Sequence, residues 1–223
     1  MSFNVAIDGP AGAGKSTVAR AVAGKLNMIY VDTGAMYRAM ALHVLRNDID
    51  PGDRTAVIDS CSRADVTIRY EEGEQVVLLN GADVNECLRT EEVSRATSVI
   101  SVIHGVREKM VELQHSLAAS SDCIMDGRDI GTCVLPNAQL KIYLTADSAV
   151  RAKRRYDELT AKGEDCDLKK ILEDIEERDY RDMHREVSPL RQAEDAVLVD
   201  TSKMSAEEVI EKIAELCLER RGM

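Results

Sequence analysis

The chain has 223 residues, 44% hydrophobic and 31% charged, a balance suited to one sizeable α/β core plus an appended piece. A net charge of −11 argues against a nucleic acid polymer as partner, since such binding rests on neutralising many phosphates; any phosphate must be met in a local basic pocket. No run approaches the roughly 18 apolar residues of a membrane span, and the N-terminus lacks the basic region of a signal peptide; six scattered cysteines without a C-x-x-C pair point to reduced thiols in a cytoplasm.

In chain order, residues 3–8 read as a short buried strand, followed by a glycine-rich turn and a helix over 15–26. A second strand covers 28–32 and a second helix 35–46, before Asp50-Pro51-Gly52-Asp53 marks a loop. This rhythm predicts a parallel sheet with helices on both faces. Alternation over 66–70, the turn Glu71-Glu72-Gly73-Glu74 and an apolar return over 76–79 then predict an antiparallel hairpin, an inserted subdomain. A helical stretch spans about 90–119, with a break expected near His104-Gly105. Strands follow at 123–126 and 140–144, and helices at 148–161 and 168–185, parted by Gly163-Glu164-Asp165. A last strand at 196–199 precedes a helix opened by a capping box, Ser205 with Glu208.

The first turn carries the sharpest chemistry. Gly9-Pro10-Ala11-Gly12-Ala13-Gly14-Lys15-Ser16 fits G-x-x-x-x-G-K-[ST], with a strand before it and a helix after. Its glycines let backbone amides turn around phosphates, Lys15 reaches their oxygens, and the Ser16 hydroxyl suits Mg²⁺. Strand ends at Thr33 and at Asp126-Gly127-Arg128-Asp129 open toward the crevice where α/β sheets bind ligands.

On the helix over 168–185, the stripe Leu168, Ile171, Leu172, Ile175 continues as Arg178, Asp182, Arg185, so a face expected to begin buried ends in ions. Either that end is solvated or it looks into a polar ligand site. Arg38 and Arg107 are each ambiguous alone. Arg151, Arg154 and Arg155 fit a solvated face or a lid over phosphates equally well.

Five segments together resemble the bacterial cytidylate kinases, among the nucleoside monophosphate kinases: residues 7–17 (IDGPAGAGKST), 32–38 (DTGAMYR), 89–93 (RTEEV), 126–132 (DGRDIGT) and 177–190 (ERDYRDMHREVSPL). The resemblance implies an α/β fold: a three-layer P-loop kinase with a parallel sheet core, an inserted monophosphate-binding subdomain containing a small antiparallel sheet, and a short helical lid. It implies one kinase unit over residues 1–223. The insert would occupy about 34–112 (hairpin about 66–79), the lid about 148–168, and the core 1–33, 113–147 and 169–223.

The implied reaction is Mg²⁺-assisted phosphoryl transfer from ATP to CMP or dCMP. ATP would be held by Gly9, Pro10, Ala11, Gly12, Ala13, Gly14, Lys15, Ser16 and Thr17, with Asp126 reaching the metal through water. Catalysis would draw on Lys15, Asp126, Arg128 and Arg155. In the acceptor site, Thr33, Arg107, Asp129 and Arg185 would surround cytosine, with Tyr37 nearby. Ser98, Arg178 and Asp182 would sit at the sugar, and Arg38 and Arg128 at the phosphate. Thr33 stands where serine is common in the family, and Met183-His184 replaces a more polar pair. The expected protein is a cytoplasmic monomer whose partners are small molecules, with no catalytic histidine. The rival readings are a kinase for another acceptor, such as UMP or shikimate, and a nucleotide-switched binding protein, which the missing Asn-Lys-x-Asp tetrapeptide opposes.

Overall fold

A computed structural model describes residues 2–222. The architecture is α/β, with a five-stranded parallel sheet and a separate three-stranded antiparallel one. The strands are β1 (Asn4–Asp8), β2 (Ile29–Asp32), β3 (Val66–Glu71), β4 (Glu74–Leu79), β5 (Ala82–Asp83), β6 (Cys123–Gly127), β7 (Leu140–Thr145) and β8 (Val197–Asp200). The helices are α1 (Lys15–Lys25), α2 (Thr33–Arg46), α3 (Arg54–Arg63), α4 (Glu91–Ile100), α5 (His104–Ser120), α6 (Ser148–Ala161), α7 (Leu168–His184) and α8 (Ala206–Arg221). Among the described residues no helix is long and apolar enough to cross a membrane.

Two compact units divide the chain: residue 2 with Ile29–Cys123, and Phe3–Met28 with residues 124–222. In the second unit the sheet runs β6-β1-β7-β8, with β1–β7 and β7–β8 parallel. Val5, Ala6, Ile7, Ile124, Met125, Ile142 and Leu144 are wholly buried, as expected of parallel strands covered on both faces. Asp8 stands in register with Tyr143 at the carboxyl end of β1, where the glycine-rich loop begins. α8 starts at the expected capping box, with the Ser205 and Glu208 bonds both made.

In the first unit, β3 and β4 form the expected hairpin. Its two turn residues, Glu72 and Gly73, both take positive φ (51° and 84°), the conformation a two-residue hairpin demands. The same device recurs at Asn80-Gly81 (φ 51° and 80°) and adds β5, a third strand that the sequence reading lacked.

Helix α3, not expected from the sequence, starts from Asp53, the last residue of the Asp50-Pro51-Gly52-Asp53 loop. Its carboxylate is the N-cap, accepting from the Ala56 amide at 3.1 Å. The Lys109 ammonium donates to the Cys61 and Ser62 carbonyls (3.1 and 3.0 Å) and to that of Ala64, closing the other end of α3. The stretch over 90–119 breaks at residues 101–103, and Gly105 lies inside α5. A Cβ on Gly105 would come within 3.2 Å of Ile58, so close packing of α5 on α3 favours glycine there.

Candidate active site

The phosphate loop joins β1 to α1 across residues 9–14. A Cβ on Gly9 would fall 1.9 Å from the Leu144 carbonyl oxygen, so only glycine passes. Gly14, left-handed at φ 88°, begins α1 with no side-chain cap and no acid in the first turn. The first amides and the positive end of the helix dipole therefore suit an anion. The Lys15 ammonium folds back and donates to the Pro10 carbonyl at 2.7 Å. Burial pulls its pKa well down, and Arg128 adds to the effect against the opposing pull of Asp126 and Asp8. A phosphate would relieve that cost. The Ser16 hydroxyl donates to Asp126 Oδ2 at 2.8 Å, joining α1 to the end of β6.

The segment after β6 is held from below. Both oxygens of Asp8 accept backbone amides, Ile130 N at 2.8 Å and Gly131 N at 2.7 Å. Burial outweighs these bonds and lifts the Asp8 carboxyl to about 6. Residues Ile130–Val134 then form a π-helical turn, a wide ring often found at functional sites.

Two ion pairs tie this segment to α7. Arg128 Nε donates to Asp182 Oδ2 at 2.7 Å, and Arg185 Nη2 to Asp129 Oδ1 at 3.1 Å. Arg185 Nε is also bound, to the Ser188 carbonyl at 2.6 Å. Burial pushes the Asp182 carboxyl upward, but the Arg128 charge and hydrogen bond, with Arg178 and Arg185, hold it below its ordinary range. The second unit thus connects Lys15, Ser16, Asp126, Arg128, Asp129, Asp182 and Arg185, while Arg178 is exposed.

The charged helix face does not behave as expected. Leu168 is exposed, Ile171 and Leu172 are half-buried, and burial deepens to Ile175 and Asp179. The physical reason is that α6 and α7 pack on one another while burying residues only toward the core, Arg151 and Ala152 on α6 and Ile175 and Asp179 on α7. The start of the stripe therefore lies outward, Ile175 is buried at its middle, and of the ionic continuation Asp182 and Arg185 are half-buried while Arg178 is exposed.

The three arginines of α6 separate. Arg151 is buried against the loop and α7, and Arg154 donates to the Thr201 hydroxyl (3.1 Å) and carbonyl (2.7 Å). Arg155 is exposed and paired with Glu158 at 2.8 Å.

The first unit carries the other expected residues. Asp32 caps α2 through Ala35 N (2.8 Å) and pairs with Arg38 Nη2 at 3.1 Å. Arg38 Nε is buried without a hydrogen-bond partner among the described residues. Thr33 is buried in the first turn of α2 and Tyr37 half-buried one turn on; Arg107 is buried on α5. Ser98 is exposed on α4, its hydroxyl bonded back to the Ser94 carbonyl at 3.2 Å. Gln75 on β4 accepts from Asp32 N at 2.8 Å, and the Tyr70 hydroxyl donates to the Tyr30 carbonyl at 3.0 Å, so the small sheet steadies the end of β2.

Asp8 and Asp179 carry no expectation from the sequence, and Arg151, expected on a solvated face or a lid, is buried against the phosphate loop instead. Asp179 lay within reach, because it stands four residues beyond Ile175 on the same helical stripe. For Asp8 the only signal was a carboxylate closing an apolar strand.

The family model described as cytidylate kinase matches residues 5–219. A cytidylate kinase of Caldicellulosiruptor bescii is 52% identical over 214 residues, 96% of this chain and 95% of that protein. One from Lactobacillus gasseri is 51% identical over 214 residues, 96% and 93% of the two chains. A solved structure of an uncharacterized protein from Eubacterium ventriosum shares the fold at 11% identity and a TM-score of 0.50, covering 97% of this chain and 98% of that one. The match takes in the phosphate loop and both groups of paired arginines and carboxylates, and the chain belongs to the cytidylate kinase family.

Proposed function

We propose that the protein transfers the terminal phosphoryl group of ATP to CMP, and to dCMP, giving the diphosphate and ADP. The observation that carries this reading is the pairing of Asp129 with Arg185 and of Arg128 with Asp182, beside a loop built for phosphates. Cytosine presents an N4 amino donor that Asp129 can accept and N3 and O2 acceptors that Arg185 and Arg107 can satisfy. Uracil puts a carbonyl where that amino group stands, and a carboxylate repels it. Thr33 and Tyr37 would complete the base site, Ser98, Arg178 and Asp182 would hold the sugar, and Arg38 and Arg128 the acceptor phosphate.

The nucleophile is an oxygen of the acceptor's own phosphate, largely ionised at neutral pH because its second pKa is about 6. No general base is needed, and catalysis rests on alignment and charge neutralisation by Lys15 and Arg128, with Arg155 supplied by movement of the α6–α7 hairpin. Ser16 and Asp126 offer hard oxygen donors 2.8 Å apart. Those two residues would hold Mg²⁺, which supplies charge neutralisation at the phosphates.

Coupled ADP production with CMP, dCMP, UMP, AMP and GMP tests the assignment. CMP and dCMP should lead; a clear preference for AMP or GMP removes the reading.

A further inference from the structure

We propose that Arg151 is a positioning residue that keeps the phosphate loop in its anion-binding shape and, through Asp179, ties that loop to the helix bearing Arg178 and Asp182. Arg151 is 5% exposed, and its guanidinium is used in three directions. Nε donates to the Ala146 carbonyl at 2.8 Å, Nη1 to the Ala11 carbonyl at 2.9 Å, and Nη2 meets Asp179 Oδ2 at 2.7 Å. The three acceptors face three different nitrogens of one planar fork, whereas a lysine offers all its donors from a single nitrogen.

The Ala11 bond matters because of what the loop must do. Turning amides inward around an anion sends intervening carbonyls outward, and a carbonyl directed into a buried region needs a donor. Arg151 supplies one, and its side chain runs along the loop: a Cβ on Gly12 would lie 3.5 Å from Arg151 Cβ. Asp179 is 8% exposed, and its Oδ1 has no hydrogen-bond partner among the described residues, so the carboxylate is anchored through Oδ2 to this guanidinium. It sits one residue after Arg178 and three before Asp182, which holds Arg128. One guanidinium therefore bears on the donor-phosphate loop and on the helix of the acceptor arginines. Ordering the loop with a nucleotide orders that helix, and by linkage the reverse holds.

The inference rests on the kinase reading above. It is tested on the whole protein with Arg151→Lys, which keeps the charge facing Asp179, and Asp179→Asn, which keeps the size. The measurements are KM for ATP and CMP, kcat, calorimetric CMP affinity with and without a non-hydrolysable ATP analogue, and thermal midpoint. Arg151→Lys should raise KM for ATP about tenfold. Asp179→Asn should bring the factor by which the analogue tightens CMP binding to about one. A purely structural role lowers the folded fraction, which reduces apparent kcat and leaves KM alone. ATP KM and analogue-linked CMP binding within about twofold of wild type in both variants would overturn the proposal. So would a wild type whose CMP affinity ignores the analogue. If Arg151→Lys fails to fold, Asp179→Asn carries the test. A wild type inactive on CMP would remove the kinase reading, and analogue affinity of Arg151→Lys would still decide the loop's dependence on Arg151.

Discussion

Gly9→Ala is the most demanding perturbation of the phosphate loop. The added methyl carbon would start 1.9 Å from the Leu144 carbonyl oxygen, on a strand paired in register with β1. Carbon–oxygen contacts settle near about 3.3 Å, so loop and strand must part by about 1.4 Å. Overpacking of this kind costs about 1–3 kcal/mol and a strained backbone about 1–3 kcal/mol more, together about 4 kcal/mol. At about 2–4 °C per kcal/mol for a chain of this size, the thermal midpoint should fall by about 8–16 °C.

Two other glycines act as internal standards. Gly14 has φ 88° but nothing within 4 Å of an added Cβ, so Gly14→Ala carries strain alone. It should lose about 3–6 °C for about 1.5 kcal/mol. Gly24, inside α1 with open space beside it, should gain about 1–4 °C as alanine. Thermal unfolding followed by circular dichroism reads the series. Equal midpoints for Gly9→Ala and Gly14→Ala would show that the Leu144 carbonyl does not confine the loop, and the reasoning would fail.

Asp129→Asn should raise KM for CMP about 10- to 100-fold while KM for ATP stays within about twofold, read by coupled ADP production; equal effects would take Asp129 out of the base site. Ser16→Ala should need about tenfold more Mg²⁺ for half-maximal activity, and an unchanged magnesium titration would exclude the hydroxyl as a ligand. Burial lifts Asp8 from 3.8 to about 6, so the folded protein binds that proton more tightly than the unfolded chain. The contribution to stability is full below about pH 4 and lost as pH rises through about 6, worth about 3 kcal/mol. Asp8→Asn cannot ionise, so the stability difference, wild type minus variant, in urea unfolding should shrink by about that amount from about pH 4 to pH 7; a constant difference would refute it.

Some elements were legible because one local signal sufficed. Glu72-Gly73 between an alternating run and an apolar one could hardly be other than a tight hairpin, and Ser205 with Glu208 could hardly be other than a helix start. Asn80-Gly81 is as strong a signal, yet β5 went unread because its two residues show no alternation. The break expected near His104-Gly105 falls at residues 101–103, directly before α5, while Gly105 itself stays helical: glycine disfavours a helix only modestly, and contact with Ile58 outweighs that preference. On α7 the stripe begins exposed at Leu168 and is buried only from Ile175, since spacing identifies a common face but not which part of it reaches the core.

From the amino-acid order alone came the phosphate loop, the alternation of strands and helices, and the residue types that suit a nucleotide. These depend on neighbours within a few positions, where backbone sterics and hydrogen bonding are local. Tertiary structure alone decided that Arg128 meets Asp182 across 54 positions, that Asp8 grips amides more than 120 positions away, and that Arg151 braces the loop while Arg155 faces solvent. Those outcomes depend on which charges are buried together, and a charge finds its buried partner only when distant segments of the chain have packed.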